Sequence, residues 1–309
     1  MAGTAWIDLL DPDEEELRKH VPDDIRPDAM QELLRTASEG SIRPSVKSHG
    51  KYILGLALVA VALPEEDRVY YQEVDFVLTR ERIVTVRKTP TGGQPFDPTH
   101  VREICDVHRH EVPPGTIAYH LVDEIAERYI DLLDDIDGEI DELEERVDQW
   151  PAEKTRKRIS DIRHDLLHIR RTLGPTRDAV REIGDGRVDL EGRTPFTREA
   201  FPKEVERQFA TTYDKLLRAT EGIEYARDLL AAVRDYHQAR VAIDQNDVMK
   251  RLTAIASIVL FPTFIVGVYG QNFDHMPELH WRLGYAFSWS IIIFSTILQL
   301  AFFRWKRWI

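Results

Sequence analysis

The chain has 309 residues, 41 Lys and Arg against 54 Asp and Glu, a net charge of −13 and a single cysteine, Cys105. The negative balance argues against a nucleic-acid partner and is compatible with cations. One cysteine excludes an intramolecular disulfide and fits a reducing compartment. The mean hydropathy of −0.36 reads as soluble, but it averages a long polar stretch with an apolar C-terminal part. Residues 1–17 hold no basic segment followed by an apolar run, so a cleavable signal peptide is not expected.

Residues 1–112 read as a mixed α/β domain. Trp6 to Leu10 is a short strand, and Asp11 to Glu16 supplies the acidic first turn of a helix. Residues 27–39 read as helical. Tyr52 to Leu63 is a near-continuous apolar run, as in a buried strand. Glu73 to Leu78 and Arg82 to Arg87 alternate as two strands joined at Thr79-Arg80-Glu81. The loop Thr89-Pro90-Thr91-Gly92-Gly93 lacks the lysine and spacing of a phosphate loop, which argues against nucleotide binding.

A helical region, 113–251, follows. Val122, Ile125, Tyr129, Leu132, Ile136, Ile140, Leu143 and Val147 recur at spacings of three and four, a long amphipathic helix with a coiled-coil seam. Residues 123–148 carry thirteen Asp or Glu against Arg128 and Arg146. Trp150-Pro151 ends this helix, and the mixed-charge stretch 152–182 is expected back as its antiparallel partner. Residues 183–203 have the Gly and Pro content of a loop. A further helix starts at Glu204 and meets no breaker until Pro262. At that length it needs bundling with its neighbours to be stable.

The last region, 252–309, is apolar. Leu252 to Phe273 is 22 residues without a charge. As a helix it is roughly 33 Å long at about 1.5 Å per residue, which matches a hydrocarbon core of about 30 Å. A second charge-free run, Leu283 to Phe303, follows after nine residues, so the two spans form a hairpin with both chain ends on one side. Lys250, Arg251, Arg304, Lys306 and Arg307 flank the spans, while the link carries Arg282 against Asp274 and Glu278. The positive-inside rule makes both termini cytoplasmic, and Trp281, Trp305 and Trp308 sit where interfacial aromatics are expected. Two spans cannot enclose a water-filled path, so a pore requires several copies around an axis. The first span then points its partially negative C-terminal end outward. Carbonyls near Gly267 and Gly270, with the carboxamides of Gln271 and Asn272, suit a divalent ion that keeps its water. The competing reading is a polar turn between two anchors.

Tyr269-Gly270-Gln271-Asn272-Phe273, followed by Met276-Pro277-Glu278-Leu279, resembles the signature of the CorA family of divalent-metal channels. Asn246-Asp247-Val248-Met249-Lys250, Leu252-Thr253, Phe261-Pro262-Thr263-Phe264-Ile265 and the basic Lys306-Arg307-Trp308 add to the resemblance. The resemblance implies an α+β cytoplasmic domain, long coiled-coil-like helices and a C-terminal two-helix transmembrane hairpin, assembled as a funnel-shaped homopentamer in the inner membrane. It implies a selectivity filter of Gly270, Gln271 and Asn272, with Asn272 meeting the metal through its hydration shell. Asp274 and Glu278 would lie in the outer loop. Asn246, Met249, Leu252, Ala256, Leu260 and Thr263 would line the pore. The implied activity is import of hydrated Mg²⁺, with Co²⁺ or Ni²⁺ leaking through, gated by cytoplasmic Mg²⁺ and needing no organic cofactor. Two positions depart from the family pattern. Gln271 stands where Met is usual; a branch similar to the ZntB zinc transporters also varies that middle residue and keeps Gly and Asn. Thr211 stands where the stalk usually carries an Asp, which leaves Asp214, Asp228 and Asp235 as candidate regulatory acids.

Alternatives to Mg²⁺ import are Zn²⁺ transport and a non-conducting membrane-anchored coiled-coil scaffold. His164 and His168, four apart on a helix, have a usable two-ligand spacing, set against a solvated helix face. His108-Arg109-His110 reads as surface, His275 and His280 as interfacial polar residues or a Zn²⁺ contact at the mouth. The acidic run 131–148 reads as a solvated face or a weak Mg²⁺ reservoir. No Ser-His-Asp, Cys-His or isolated carboxylate pair stands out, so an enzyme is not expected.

Overall fold

The computed structural model describes residues 6–37, 43–63, 68–107, 112–191, 200–271 and 276–309. The chain packs as two compact units, Met1–Arg234 and Asp235–Ile309.

In the first unit five strands, β1 (Trp6–Leu10), β2 (Ser45–Ser48), β3 (Ile53–Leu63), β4 (Arg68–Leu78) and β5 (Ile83–Lys88), form one sheet in the order β1-β5-β4-β3-β2. The three neighbouring pairs from β2 to β5 are antiparallel, and β1 alone runs parallel to its partner β5. Asp8, almost wholly buried, fixes that parallel edge. Its carboxylate accepts from Thr85 Oγ1 at 2.8 Å and from Arg87 Nε at 2.9 Å, and pairs with Arg102 at 3.3 Å.

Alternate residues of the strands face two different cores, as the period of two requires. Leu54, Val77, Val84 and Val86 pack with helices α1 (Glu14–Arg18) and α2 (Pro27–Leu34), while Ile53, Phe76, Leu78 and Ile83 belong to the larger helical core. Gly55 is required on that second face, because a Cβ there would lie 2.1 Å from the Phe76 ring. The expected helix over 27–39 stops at Leu34, since Arg35 turns to an extended conformation at ψ 138.

The larger core joins the sheet to α3 (Thr99–Val107), α4 (Pro114–Arg146), α5 (Ala152–Gly184) and α6 (Lys203–Tyr269). The seam residues Ile125, Tyr129, Leu132, Ile136, Ile140 and Leu143 are all buried in it. Tyr129 Oη donates to Leu58 O at 3.1 Å and meets Thr172 Oγ1 at 2.8 Å, tying β3, α4 and α5 together. Arg158 on α5 pairs with Glu139 on α4 at 3.0 Å, as opposite charge on an antiparallel hairpin requires. Because sheet and helices share this core, the expected boundary at 112/113 falls inside one compact unit. Cys105 is buried on α3, and burial pushes its thiol up, away from reactivity.

The second unit holds the C-terminal part of α6, a short 3₁₀ turn (Pro277–His280) and α7 (Gly284–Trp305). Helix α6 runs unbroken for 67 residues and carries Pro262 inside it. Two of the helices, α6 and α7, are long and apolar enough to cross a membrane.

Candidate functional site

The C-terminal half of α6 carries the residues expected to meet ions. Two of its hydroxyls bond back to carbonyls one turn earlier. Ser257 Oγ donates to Thr253 O and Thr263 Oγ1 to Val259 O, each at 2.8 Å. The helix ends in a tightened turn, with Gly270 N bonded to Val266 O at 2.9 Å and Gln271 N to Val268 O at 3.3 Å. Gly270 and Gln271 are exposed. Asn272 and Asp274 lie outside the described residues, as does His275; Glu278 falls in the 3₁₀ turn.

Along the C-terminal part of α6 one narrow stripe is covered and the rest of the surface is largely exposed. Ala254 and Ile265 are buried, at 0% and 8%, and Ile258 between them is half-buried. At about 100° per residue these three fall within about 40° of one another. Asn246, Met249, Leu252, Ala256, Leu260 and Thr263 are all exposed. Their mean direction lies about 180° from the buried stripe. Met249, Leu252 and Leu260 are 58–69% exposed in the single chain, a continuous uncovered apolar row. On α7, Ser288, Ile292, Ser295, Gln299 and Phe303 make a covered stripe of their own at spacings of three and four. At its end Lys306 Nζ sits over the Trp305 ring at 5.0 Å, a cation and an aromatic side by side as in an interfacial belt.

In the first unit the candidate regulatory acids Asp214 and Asp228 are exposed on α6, and Asp235 is exposed where the second unit begins. Spacings of 14 and 7 residues put the three on one helix face, but about 21 Å and 10 Å apart along it. Among the described residues no three His, Cys, Asp or Glu are grouped to hold a metal. Thr211 is exposed and its hydroxyl bonds back to Arg207 O at 3.4 Å. Part of the acidic face of α4 is consumed by packing. Lys215 on α6 reaches Asp123 at 2.9 Å and Glu127 at 2.5 Å, and Thr212 Oγ1 donates to Asp123 at 2.8 Å. Further along, burial and the neighbouring Asp134 and Asp141 hold the Asp137 carboxyl above the ordinary carboxylate range.

His164 and His168 meet on α5, with Nε2 atoms 3.3 Å apart. His280 Nδ1 lies 3.3 Å from Met276 O. His108, Arg109 and His110 lie outside the described residues. A buried cluster that the sequence did not single out sits on the α2 side of the sheet. There Lys88 contacts both Glu73 and Asp75, all three nearly inaccessible.

An α/β unit followed by a long helix and a second helix, both apolar enough to cross a membrane, fits a membrane transporter with a large polar N-terminal part. The chain belongs to the CorA-like Mg²⁺ transporter family, whose model matches residues 1–307; it is a family of transporters, not enzymes. It is 27% identical over 288 residues to the cobalt/magnesium transport protein CorA of Thermotoga maritima, covering 92% of this chain and 77% of that one. To the putative metal ion transporter YfjQ of Bacillus subtilis it is 34% identical over 195 residues, 63% of this chain and 58% of the relative. The complete structure of the CorA magnesium transporter from Methanocaldococcus jannaschii superposes with a TM-score of 0.78 at 22% identity, over 98% of this chain and 91% of that one. The ZntB cytoplasmic domain from Vibrio parahaemolyticus shares the fold at a TM-score of 0.55 and 15% identity, over 77% and 87% of the two chains.

Proposed function

We propose that this protein is a homopentameric channel that imports hydrated Mg²⁺ into the cytoplasm, where both of its termini lie. One observation carries the reading: the row from Asn246 to Thr263 is exposed and faces directly away from the covered stripe of α6. In a ring of hairpins that row faces the axis, and the covered stripe faces the hairpin's own second helix. A divalent ion moving inward gains roughly 4.6 kcal/mol at 100 mV. Gly270, Gln271 and Asn272 form the outer ring, whose carbonyl and carboxamide oxygens replace bulk water around an ion that keeps its first shell. Co²⁺ and Ni²⁺ are secondary cargo, because a filter that reads hydrated octahedral ions separates them poorly from Mg²⁺. Met249 and Leu252 close the path by dewetting when the ring narrows. Cytoplasmic Mg²⁺ favours that state by bridging Asp214, Asp228 and Asp235 to acids of neighbouring copies, a division of labour that Thr211 shifts away from its own position.

The test is Mg²⁺ flux into liposomes holding the purified protein, wild type beside Asn272→Ala, with the oligomer checked by size. Flux that vanishes in a still-oligomeric variant supports the reading; undiminished flux removes Asn272 from the filter. Gln271 in the middle filter position favours a second reading, Zn²⁺ as the main cargo. Zn²⁺ uptake that exceeds Mg²⁺ uptake and follows a proton gradient would establish it.

A further inference from the structure

We propose that His164 and His168 form a binding site for a divalent transition-metal ion, Cu²⁺, Ni²⁺ or Zn²⁺, on the solvent-facing side of α5. The two residues are one helical turn apart, and Ile162, Leu166, Ile169 and Leu173, each fully buried, lock that stretch of helix against the core. The backbone between the two histidines is therefore rigid. Their Nε2 atoms are 3.3 Å apart while their ring centroids are 4.3 Å apart. The rings thus lean together at the nitrogen end. A tetrahedral ion with Zn–N bonds of about 2.0–2.1 Å spans about 3.3–3.4 Å between two ligand nitrogens. The imidazoles already have that separation. Tyr71 from β4 stands beside the His168 ring at 6.2 Å between centroids, which narrows the rotations open to it.

A metal-free pair holds this distance with one Nε2–H donating to the other Nε2. An incoming ion requires both protons on Nδ1, a change of tautomer that costs little in neutral imidazole. Asp161 and Asp165 lie within a turn on the same helix, as do Arg163, Arg170 and Arg171, so the pull on an ion comes from the imidazoles and not from local charge. Among the described residues no third His, Cys, Asp or Glu completes a cluster, so water fills the remaining positions and the site is open and exchangeable. Imidazole nitrogen suits late first-row metals, whereas Mg²⁺ takes oxygen and keeps its water. The pair therefore responds to transition metals and ignores the magnesium around it. It does so independently of whether the membrane unit conducts Mg²⁺ or Zn²⁺.

The experiment is calorimetric titration of the full-length protein in detergent with Ni²⁺, in millimolar Mg²⁺, for wild type, His164→Gln, His168→Gln and, as a control outside the pair, His20→Gln. The expected result is one Ni²⁺ per chain that Mg²⁺ does not displace and that the control retains. Each single pair variant should weaken it by at least the about 10–100-fold that loss of a mere supporting partner costs a metal site. Affinity should rise from Co²⁺ to Ni²⁺ to Cu²⁺ and fall again at Zn²⁺. Ni²⁺ should also raise the melting temperature of the wild type and not of the pair variants, a readout that shows the variants are folded. Ni²⁺ binding that is unchanged in both pair variants, or that Mg²⁺ abolishes, would overturn the proposal.

Discussion

Lys88→Met should be among the most damaging single changes in the first unit. The Lys88 ammonium lies 2.7 Å from Asp75 Oδ2, contacts Glu73, and donates to Glu32 O at 2.8 Å. The three side chains are 3%, 0% and 2% exposed. Two carboxylates thus share one buried cation, and Arg35, 3.4 Å from Glu73, stands near as a second. Removing Lys88 leaves uncompensated buried charge, at a cost of about 3–5 kcal/mol. For a unit of this size that lowers the melting temperature by about 6–20 °C. Burial already holds the Asp75 carboxyl well above its ordinary 3.8, with Lys88 opposing the shift and Glu73 adding to it. A carboxyl raised on folding contributes its stability in full below the unfolded value and loses it as pH rises toward the folded one. Deleting the opposing cation steepens that loss, so the deficit of Lys88→Met should be larger at about pH 8 than at about pH 5. Thermal unfolding of the full-length protein in detergent at both pH values measures it. A deficit under about 1 kcal/mol, or one equal at both pH values, would refute the reasoning. Replacing all three groups together, Glu73→Gln, Asp75→Leu and Lys88→Met, should restore most of the loss, because no buried charge is then left without its partner.

Gly55→Val should also unfold the sheet locally, since its first added carbon would sit 2.1 Å from the Phe76 ring. We expect a loss of about 1–3 kcal/mol or more, partly recovered by a second change, Phe76→Leu, in the same melting assay. In the proposed pore, Leu252→Asn should replace an apolar ring with a wettable one. Mg²⁺ flux in high internal Mg²⁺ should then rise several-fold over wild type in the liposome assay, and unchanged flux would remove Leu252 from the gate.

The long helices and the two apolar spans were legible in the sequence because each is set by a local period or a local run. The seam from Val122 to Val147, the stop at Trp150-Pro151 and the uncharged stretches before and after residues 274–282 need no knowledge of distant residues. Asn246, Met249, Leu252, Ala256, Leu260 and Thr263 could be placed on one helix face by spacing alone. That Ala254 and Ile265 are the covered side of this stretch came only from the folded chain. Two short elements, unlike β1, were not legible. Strand β2 has four residues and α3 nine, too few for a periodic signal to rise above loop composition.

Tertiary structure alone decided which charges are solvated and which are used up. Glu73-Val74-Asp75 alternates like a strand with one wet face, yet α1 and α2 cover that face and force its acids onto Lys88. Asp123 and Glu127 look like part of a uniform acidic surface, yet Lys215, some 90 residues along the chain, neutralises both. The spacing of His164 and His168 was visible from the start, but their convergence to 3.3 Å depends on how the buried face of α5 is held. Local periodicity is written in neighbouring residues, so the sequence determined the helices, the spans and the faces. Desolvation and charge pairing depend on what packs on top, and only the folded chain brings residues 32, 73, 75 and 88 to one place.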